Sequence, residues 1–427
     1  MRSPLTRRPV LRPCLARHRA QLSAAVPGGC SATSTRTAQS PAAQKGTTVS
    51  VEFISLTNSN ASTELAPLPG AQINKPFLIR YARAVEDAGF DYTLLPYGSS
   101  SFDPFTTGAA ISQYTERVKP IIALRPNTVH PTVAAKSLAT LDQLSDGRAV
   151  VHFIAGGNDK EQAREGDYST KEERYARTEE YIRILRRAWE SAEPFDFAGV
   201  HYRFEDYSNG VRPVNGTIPI SVGGSSPDAY RVGGALADIF GLWGEPLRET
   251  SEQIDSINAA AEAAGRIDRP RVWVTFRPII APTEALAWEK AERILGALKR
   301  NRDGSIAHKG SIHPRTGQPQ NEGSRRLLEV ASRGDLHDRA LWTAPAAVTN
   351  AGGASTALVG TPETVAAAIL DYVDLGASLV SIRGYDNLND VVDYGRYLLP
   401  LVREELAHRE STGRRGEVVA QPELASV

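Results

Sequence analysis

"VKPIIALRPNTVHPTVAAKSLATLDQLSDGRAVVHFIA" occupies residues 118–155. It opens on an apolar run, 118–124, and closes on another, 148–155, each of strand length and composition. Between them, 131–145 carries Val133, Leu138, Leu141 and Leu144 at helical spacing, expected to face inward, and Asp146-Gly147 ends it. This is a strand–helix–strand unit, the building block of α/β folds.

The same rhythm extends both ways. VEFISL at 51–56 and YTLLP at 92–96 read as earlier strands, separated by a helix that starts at Pro76 and stops at Gly89. That helix carries Leu78, Ile79, Ala82 and Val85 on one face. Downstream, IPISV at 218–222, DIFGLW at 238–243, VWVTFRPII at 272–280 and SLVSI at 378–382 complete eight strands. Helices fit at 171–190, 227–236, 248–264, 283–299, 362–375 and 389–406. The first of these has the strongest start signal, a capping box of Thr170 and Glu173. Its stripe is Tyr181, Ile182, Leu185, Ala188 and Trp189. FDFAGVHYRFEDY at 195–207 alternates like a surface hairpin. Eight βα units predict a closed (β/α)8 TIM barrel. A doubly wound open sheet is the alternative, but its G-x-G-x-x-G turn is absent, as is a P-loop.

Residues 300–357 break the rhythm, being rich in Gly, Arg, Asn and Ser. Such a segment before the last strand suggests a lid over the site, or else a dispensable insertion. The domain organisation expected is therefore a leader at 1–50, a barrel at 51–408 with an insertion or lid at 300–357, and a polar tail at 409–427.

Lys plus Arg and Asp plus Glu both number 49 in the 427 residues, so net charge does not favour nucleic acid. No apolar stretch reaches the ~20 residues of a membrane span. Residues 1–50 carry seven Arg, one Lys and no acid, and hold both cysteines, Cys14 and Cys30. The leader lacks a secretory apolar core and reads as an over-long start or disordered tail, with an organelle transit peptide as the alternative. A cytoplasmic protein is expected. The cysteine-free body excludes a disulfide framework, a thiolate zinc site and a cysteine nucleophile. No H-x-H, H-E-x-x-H or G-x-S-x-G occurs, and His308 and His313 lie in the irregular insertion, so no metal is expected.

In a barrel the chemistry belongs at the C-terminal ends of the strands. Gly223-Gly224-Ser225-Ser226-Pro227-Asp228 opens a helix there, and reads as an anion site or as an ordinary capped turn. His152 ends the fourth strand, followed by Gly156-Gly157-Asn158 and Glu161, with Arg174 and Tyr175 in the next helix's first turn. Arg offers a planar fork for phosphate, and Tyr a hydroxyl and a ring face. A lone strand His is more often a core residue. Arg125, Arg277 and Arg383 each end a strand. Singly each suggests an ion pair; together they suggest an anionic substrate.

These residues resemble the bacterial luciferase-like flavin-dependent monooxygenases, nearest to the alkanesulfonate monooxygenase branch. The resemblance covers about 51–408. It rests on VEDAGFDYTLLP at 85–96, ALRP at 123–126, 131–149, ERY at 173–175, GGSS at 223–226, WGEP at 243–246, GGASTALVG at 352–360 and RGY at 383–385. It implies that reduced FMN, delivered by a separate NAD(P)H-dependent flavin reductase, reacts with O2 to oxygenate a small molecule. An alkanesulfonate would yield aldehyde and sulfite. It also implies a homo-oligomer, a dimer or tetramer.

By the same resemblance His152, Glu161, Arg174, Tyr175, Ser225 and Ser226 contact the flavin, and Trp243 and Tyr385 belong to the active site. His152 stands where relatives usually carry Asn. Ser101 stands where the alkanesulfonate enzymes carry Cys, and Arg277 where they carry His. Ala351 replaces a lid Arg. Arg277, with Arg125, is expected to supply the missing substrate-binding charge. The same scaffold admits sulfone, amine or alkane substrates, a deazaflavin-dependent oxidoreductase, or a non-catalytic flavin-binding protein.

Overall fold

Each apolar run forms a strand, and each strand–helix pair lays the next strand parallel to the last. The computed structural model describes residues 51–303 and 317–412, apart from 69, 71 and 354. The leader, most of the tail, and His308 and His313 lie outside the described residues. The strands are β1 Glu52–Leu56, β2 Tyr92–Leu95, β3 Lys119–Leu124, β4 Val150–Phe153, β5 Phe195–Ala198, β6 Arg203–Tyr207, β7 Ile220–Gly223, β8 Ile239–Trp243, β9 Arg271–Ile280, β10 Leu336–His337, β11 Leu341–Trp342, β12 Ala357–Gly360 and β13 Ala377–Ile382. Strands β1-β2-β3-β4-β7-β8-β9-β13 pair in parallel, and β13 returns to β1. The sheet is therefore a closed eight-stranded barrel, as the sequence predicts. β5 and β6 form the expected antiparallel hairpin outside it.

The helices are α1 Lys75–Asp87, α2 Pro104–Ser112, α3 Pro131–Leu144, α4 Asp159–Ala163, α5 Lys171–Glu190, α6 Pro227–Leu236, α7 Leu247–Ala263, α8 Glu284–Asp303, α9 Glu322–Ser332, α10 Ala344–Thr349, α11 Pro362–Asp374, α12 Asn387–Asp393 and α13 Leu399–Ser411. One π-helical turn, Tyr394–Leu398, joins the last two. No helix among the described residues is long and apolar enough to cross a membrane.

The predicted capping box of α5 is present, and its whole predicted stripe is buried. The expected inward face of α3 needs correction. Val133 and Leu144 are 45% and 51% exposed, while Ala134, Ala135, Leu138, Ala139 and Leu141 are buried. Positions 134, 138 and 141 share one face at 3.6 residues per turn, whereas 133 and 144 fall on the neighbouring, outward stripe. Small Ala side chains let α3 lie close to the barrel.

The barrel interior is filled. Ile54, Tyr92, Ile121, Val150, Ile239, Trp273 and Leu379 pack as one cluster. Register places them side by side, with Ile54 opposite Tyr92, Ile121 opposite Val150 and Trp273 opposite Leu379. Below them Glu52 accepts hydrogen bonds from Tyr92 Oη at 3.1 Å, Lys119 Nζ at 3.1 Å and Arg271 Nη2 at 2.5 Å. This network floors the barrel and leaves the opposite end for ligands.

The insertion is more regular than its sequence suggests. Half of its described part forms α9, β10, β11, α10 and the start of β12. β9 explains how it attaches. Its first half pairs with β8 and β13, while Arg277–Ile280 pair with Ala357–Gly360 of β12. Arg277 is thus the point where β9 leaves the barrel.

Candidate active site

The loops after β4 and β7 and the start of α9 enclose a cavity of about 330 Å³. Gly223, Gly224, Ser225 and Ser226 form one wall, and Arg174 and Tyr175 of α5 another. Ser226 caps α6, its Oγ accepting from the Ala229 N–H at 3.3 Å, so the positive end of that helix dipole faces the cavity. Gly224 has φ +146°, and a Cβ there would lie 2.9 Å from Tyr175 Oη, so only glycine lets the chain pass so close to the ring. Burial holds the Tyr175 phenol above its usual range.

Arg174 is 3% exposed. Its Nη1 donates to the Ser169 carbonyl at 2.6 Å and its Nη2 to Asp159 Oδ1 at 3.1 Å, while its buried Nε has no hydrogen-bond partner among the described residues. A guanidinium with a spare buried donor, two serines and a helix start fit a phosphate monoester. Arg174, Tyr175, Ser225 and Ser226 line this one cavity, whereas His152 and Glu161 are not among its lining residues. A larger, open groove of about 690 Å³, lined in part by His130, Tyr168 and Tyr202, lies outside this cavity. It lacks the serine and glycine cradle.

His152 points into the barrel. Its Nδ1 lies 2.9 Å from Ser221 Oγ, and its ring is 5.2 Å from that of Trp273. Burial pushes its pKa down to about 4, so the imidazole is neutral at pH 7. A Cβ on Gly223 would lie 3.0 Å from His152 Cε1, which puts the imidazole directly beside the cradle wall.

Arg125 and Glu161 pair with each other. Arg125 also bonds Glu165 at 2.8 Å, and Glu161 accepts the Ser99 N–H at 2.8 Å. The guanidinium lies over the Tyr97 ring at 5.0 Å. Two carboxylates, Glu161 and Glu165, thus face Arg125. Ser101 lies in the loop between β2 and α2. It is exposed, and its Oγ accepts from the Gly98 N–H and donates to the Gly98 carbonyl, both at 2.9 Å. That hydroxyl closes a turn.

At the other side of the mouth Arg277 and Tyr385 stack, with the guanidinium carbon 3.6 Å from the ring centroid. Arg277 Nη1 bonds Glu64 at 2.6 Å, and Nη2 donates to the Gly384 carbonyl at 3.0 Å. Burial opposes the Arg277 charge, but Glu64 outweighs it and holds the group above its ordinary range. Burial, and then repulsion from Arg277, bring Arg383 down to about 10. The Tyr385 hydroxyl is buried without a hydrogen-bond partner among the described residues, and burial holds it above the usual phenol range. Asp390 fixes this turn by accepting the Tyr385 and Asp386 N–H groups at 2.7 and 2.8 Å.

Trp243 connects the barrel to the insertion. It packs with Leu327, Ala346 and Ala351, and a Cβ on Gly323 would lie 2.9 Å from its ring. The next turn is locked by Arg326, which makes three hydrogen bonds to the buried Glu245 at 2.6–3.1 Å. Ala351 is buried in that same small cluster. Sequence reasoning missed Glu64, Asp159, Ser221, Trp273, and Gln320 and Asn321 at the cavity rim. Glu64, Ser221 and Gln320 act through partners far along the chain, so no local pattern marks them, whereas Asn321 caps α9 by accepting the Ser324 N–H.

The profile of the luciferase-like monooxygenases matches residues 55–379. Among solved structures the fold is similar to a riboflavin lyase in complex with a modified FMN and its substrate riboflavin, at 21% identity and TM-score 0.67, over 83% of this chain and 92% of that one. It is also similar to the EDTA monooxygenase of Chelativorans sp. BNC1, at 19% identity and TM-score 0.64, over 84% and 94% of the two chains. A third is an F420-dependent secondary alcohol dehydrogenase in complex with an F420–acetone adduct, at 16% identity and TM-score 0.60, over 83% and 99%. At these identities the likeness is one of fold. The profile match spans most of the sequence, and the chain belongs to the luciferase-like monooxygenase family.

Proposed function

We propose that the protein is a two-component monooxygenase. It takes reduced FMN from a separate NAD(P)H-dependent flavin reductase and uses O2 to oxygenate an alkanesulfonate. The observation that carries the flavin reading is the phosphate cradle of Arg174, Tyr175, Ser225 and Ser226 beneath the start of α6. The anionic substrate is supported by Arg277 and Arg383, brought together at the mouth beside Tyr385.

Reduced FMN, when bound, supplies the two electrons for O2 reduction. One alkanesulfonate, one O2 and one reduced flavin give one aldehyde, one bisulfite, one water and oxidised flavin. The chain's own groups bind and orient. Ser225, Ser226 and Arg174 hold the phosphate. Neutral His152 presents a polar edge inside the barrel without adding positive charge. Arg277 and Arg383 draw the sulfonate to the mouth, and the Tyr385 O–H can donate to oxygen there. Trp243 and α9 narrow access for water. The reading extends to a homo-oligomer.

The test is sulfite release from a panel of alkanesulfonates by the full chain with FMN, NADH and a flavin reductase. Sulfite that requires every component supports the reading. Tight reduced-FMN binding without sulfite overturns the sulfonate assignment and leaves the flavin site. Turnover with reduced F420 alone overturns the FMN assignment.

A further inference from the structure

His152 stands two residues beyond Val150 on β4, so its side chain points into the same barrel interior, one layer nearer the mouth. Parallel register sets Ser221 of β7 directly opposite it, and the two side chains meet with Nδ1 2.9 Å from Oγ. Ser221 is fully buried, and among the described residues its hydroxyl has no other hydrogen-bond partner. The imidazole also lies against Trp273, whose own Nε1 donates to Thr275 Oγ1 at 2.8 Å. The ring is therefore held from two sides.

Which atom donates follows from what each arrangement leaves unused. A neutral imidazole carries one N–H donor and one bare acceptor nitrogen. If Nδ1 held the proton, Ser221 Oγ would accept it, and the serine O–H would be buried with nothing to donate to, a cost that folded proteins avoid. If Nδ1 is bare, the O–H donates to it and both groups are satisfied. The proton then sits on Nε2. Nε2 has no hydrogen-bond partner among the described residues, and two glycines border the space beside the ring. A Cβ on Gly223 would lie 3.4 Å from Nε2, and one on Gly241 would lie 3.6 Å from Cε1. Gly223 also lines the cavity of the phosphate cradle, so the donor adjoins that site.

We infer that Ser221 is a positioning residue that locks His152 as the Nε2–H tautomer, so that the barrel offers its ligand a fixed hydrogen-bond donor beside Gly223. The ligand atom that meets this donor is an acceptor, a carbonyl oxygen or an unprotonated ring nitrogen. A ligand N–H is disfavoured there, because two donors cannot pair. Burial keeps the imidazole neutral at pH 7, so the donor acts without a full positive charge. The identity of the ligand as reduced FMN rests on the reading above, whereas the tautomer does not.

The test uses the full chain labelled with nitrogen-15 histidine, and long-range proton–nitrogen correlation spectra at pH 7. Spectra are taken of the free protein and with reduced FMN under anaerobic conditions. His152→Asn identifies the His152 signals by their loss. In the wild type Nε2 is expected at the shift of a protonated ring nitrogen, and Nδ1 at that of a bare nitrogen displaced by an accepted hydrogen bond. Ser221→Ala is expected to return Nδ1 to the shift of a bare nitrogen without such a bond. A proton on Nδ1 in the wild type overturns the inference, and so does an Nδ1 shift that Ser221→Ala leaves unchanged. Reduced FMN is expected to move the Nε2 signal while its proton stays in place. FMN bound by fluorescence titration, with Nε2 unmoved or deprotonated, overturns the donor role. Absence of FMN binding overturns the flavin reading instead, and the spectrum of the free protein still decides the tautomer. Should Ser221→Ala not fold, the wild-type position of the proton decides alone.

Discussion

Replacing Arg174 by Ala separates the phosphate cradle from the rest of the flavin site. In the folded protein Arg174 holds the Ser169 carbonyl and Asp159, and keeps one buried N–H unused. Asp159 is 66% exposed, so it returns to water at little cost when its partner is lost. The stability loss is therefore small, about 1 kcal/mol for the missing carbonyl bond. A charged hydrogen bond to a phosphate contributes about 1.5–3 kcal/mol. Its removal weakens reduced-FMN binding roughly 10- to 150-fold. Riboflavin lacks the phosphate and serves as the internal reference. Anaerobic fluorescence titrations of wild type and Arg174→Ala with reduced FMN and reduced riboflavin measure both. The expected result is a large loss for FMN and little for riboflavin. Equal losses for the two, or none for FMN, would falsify the assignment of Arg174 to the phosphate.

Three other outcomes are expected. Arg326→Ala strands the buried Glu245 carboxylate and costs about 3–5 kcal/mol in a denaturant melt, whereas the double replacement by Met at both positions recovers most of that loss. His152 stays neutral in the folded protein down to about 4, whereas an unfolded His binds its proton near 6.5. Stability therefore falls as pH drops through that window, by up to roughly 3 kcal/mol, and urea melts of His152→Asn are expected to lack this slope. Tyr385→Phe removes a buried hydroxyl that has no partner, so the melting temperature holds or rises. kcat for sulfite release falls roughly tenfold or more, and an unchanged kcat removes this hydroxyl from the reaction.

The barrel is legible in the sequence because each of its strands is a short apolar run closed by a turn, and such runs carry their own signal. The helix at 171–190 is legible for a second reason: its capping box is a contact between residues three apart. The insertion escapes because its elements are short and rich in small residues. α10 and β12 hold their shape through Trp243, Leu327 and the Arg277–Ile280 edge of β9, all remote in sequence. On α3 Leu138 and Leu141 face inward as expected, but Val133 and Leu144 do not, since Ala at 134, 135 and 139 carries little hydrophobic signal yet permits the closest packing.

The site divides in the same way. GGSS and Arg174-Tyr175 each announce themselves locally, by a glycine turn, a helix cap and a cation in a first turn. The barrel then needs only to place the β7 loop beside the start of α5. The arginines at the strand ends were equally visible, but their charge partners were not. Arg125 turned out to be matched by Glu161 and Glu165, and Arg277 by Glu64 from the other end of the chain. Hydrophobic period and turn chemistry are short-range properties that a linear sequence carries in full. Which carboxylate faces which guanidinium depends on loops that only barrel closure brings together, as it brings Glu64 to Arg277.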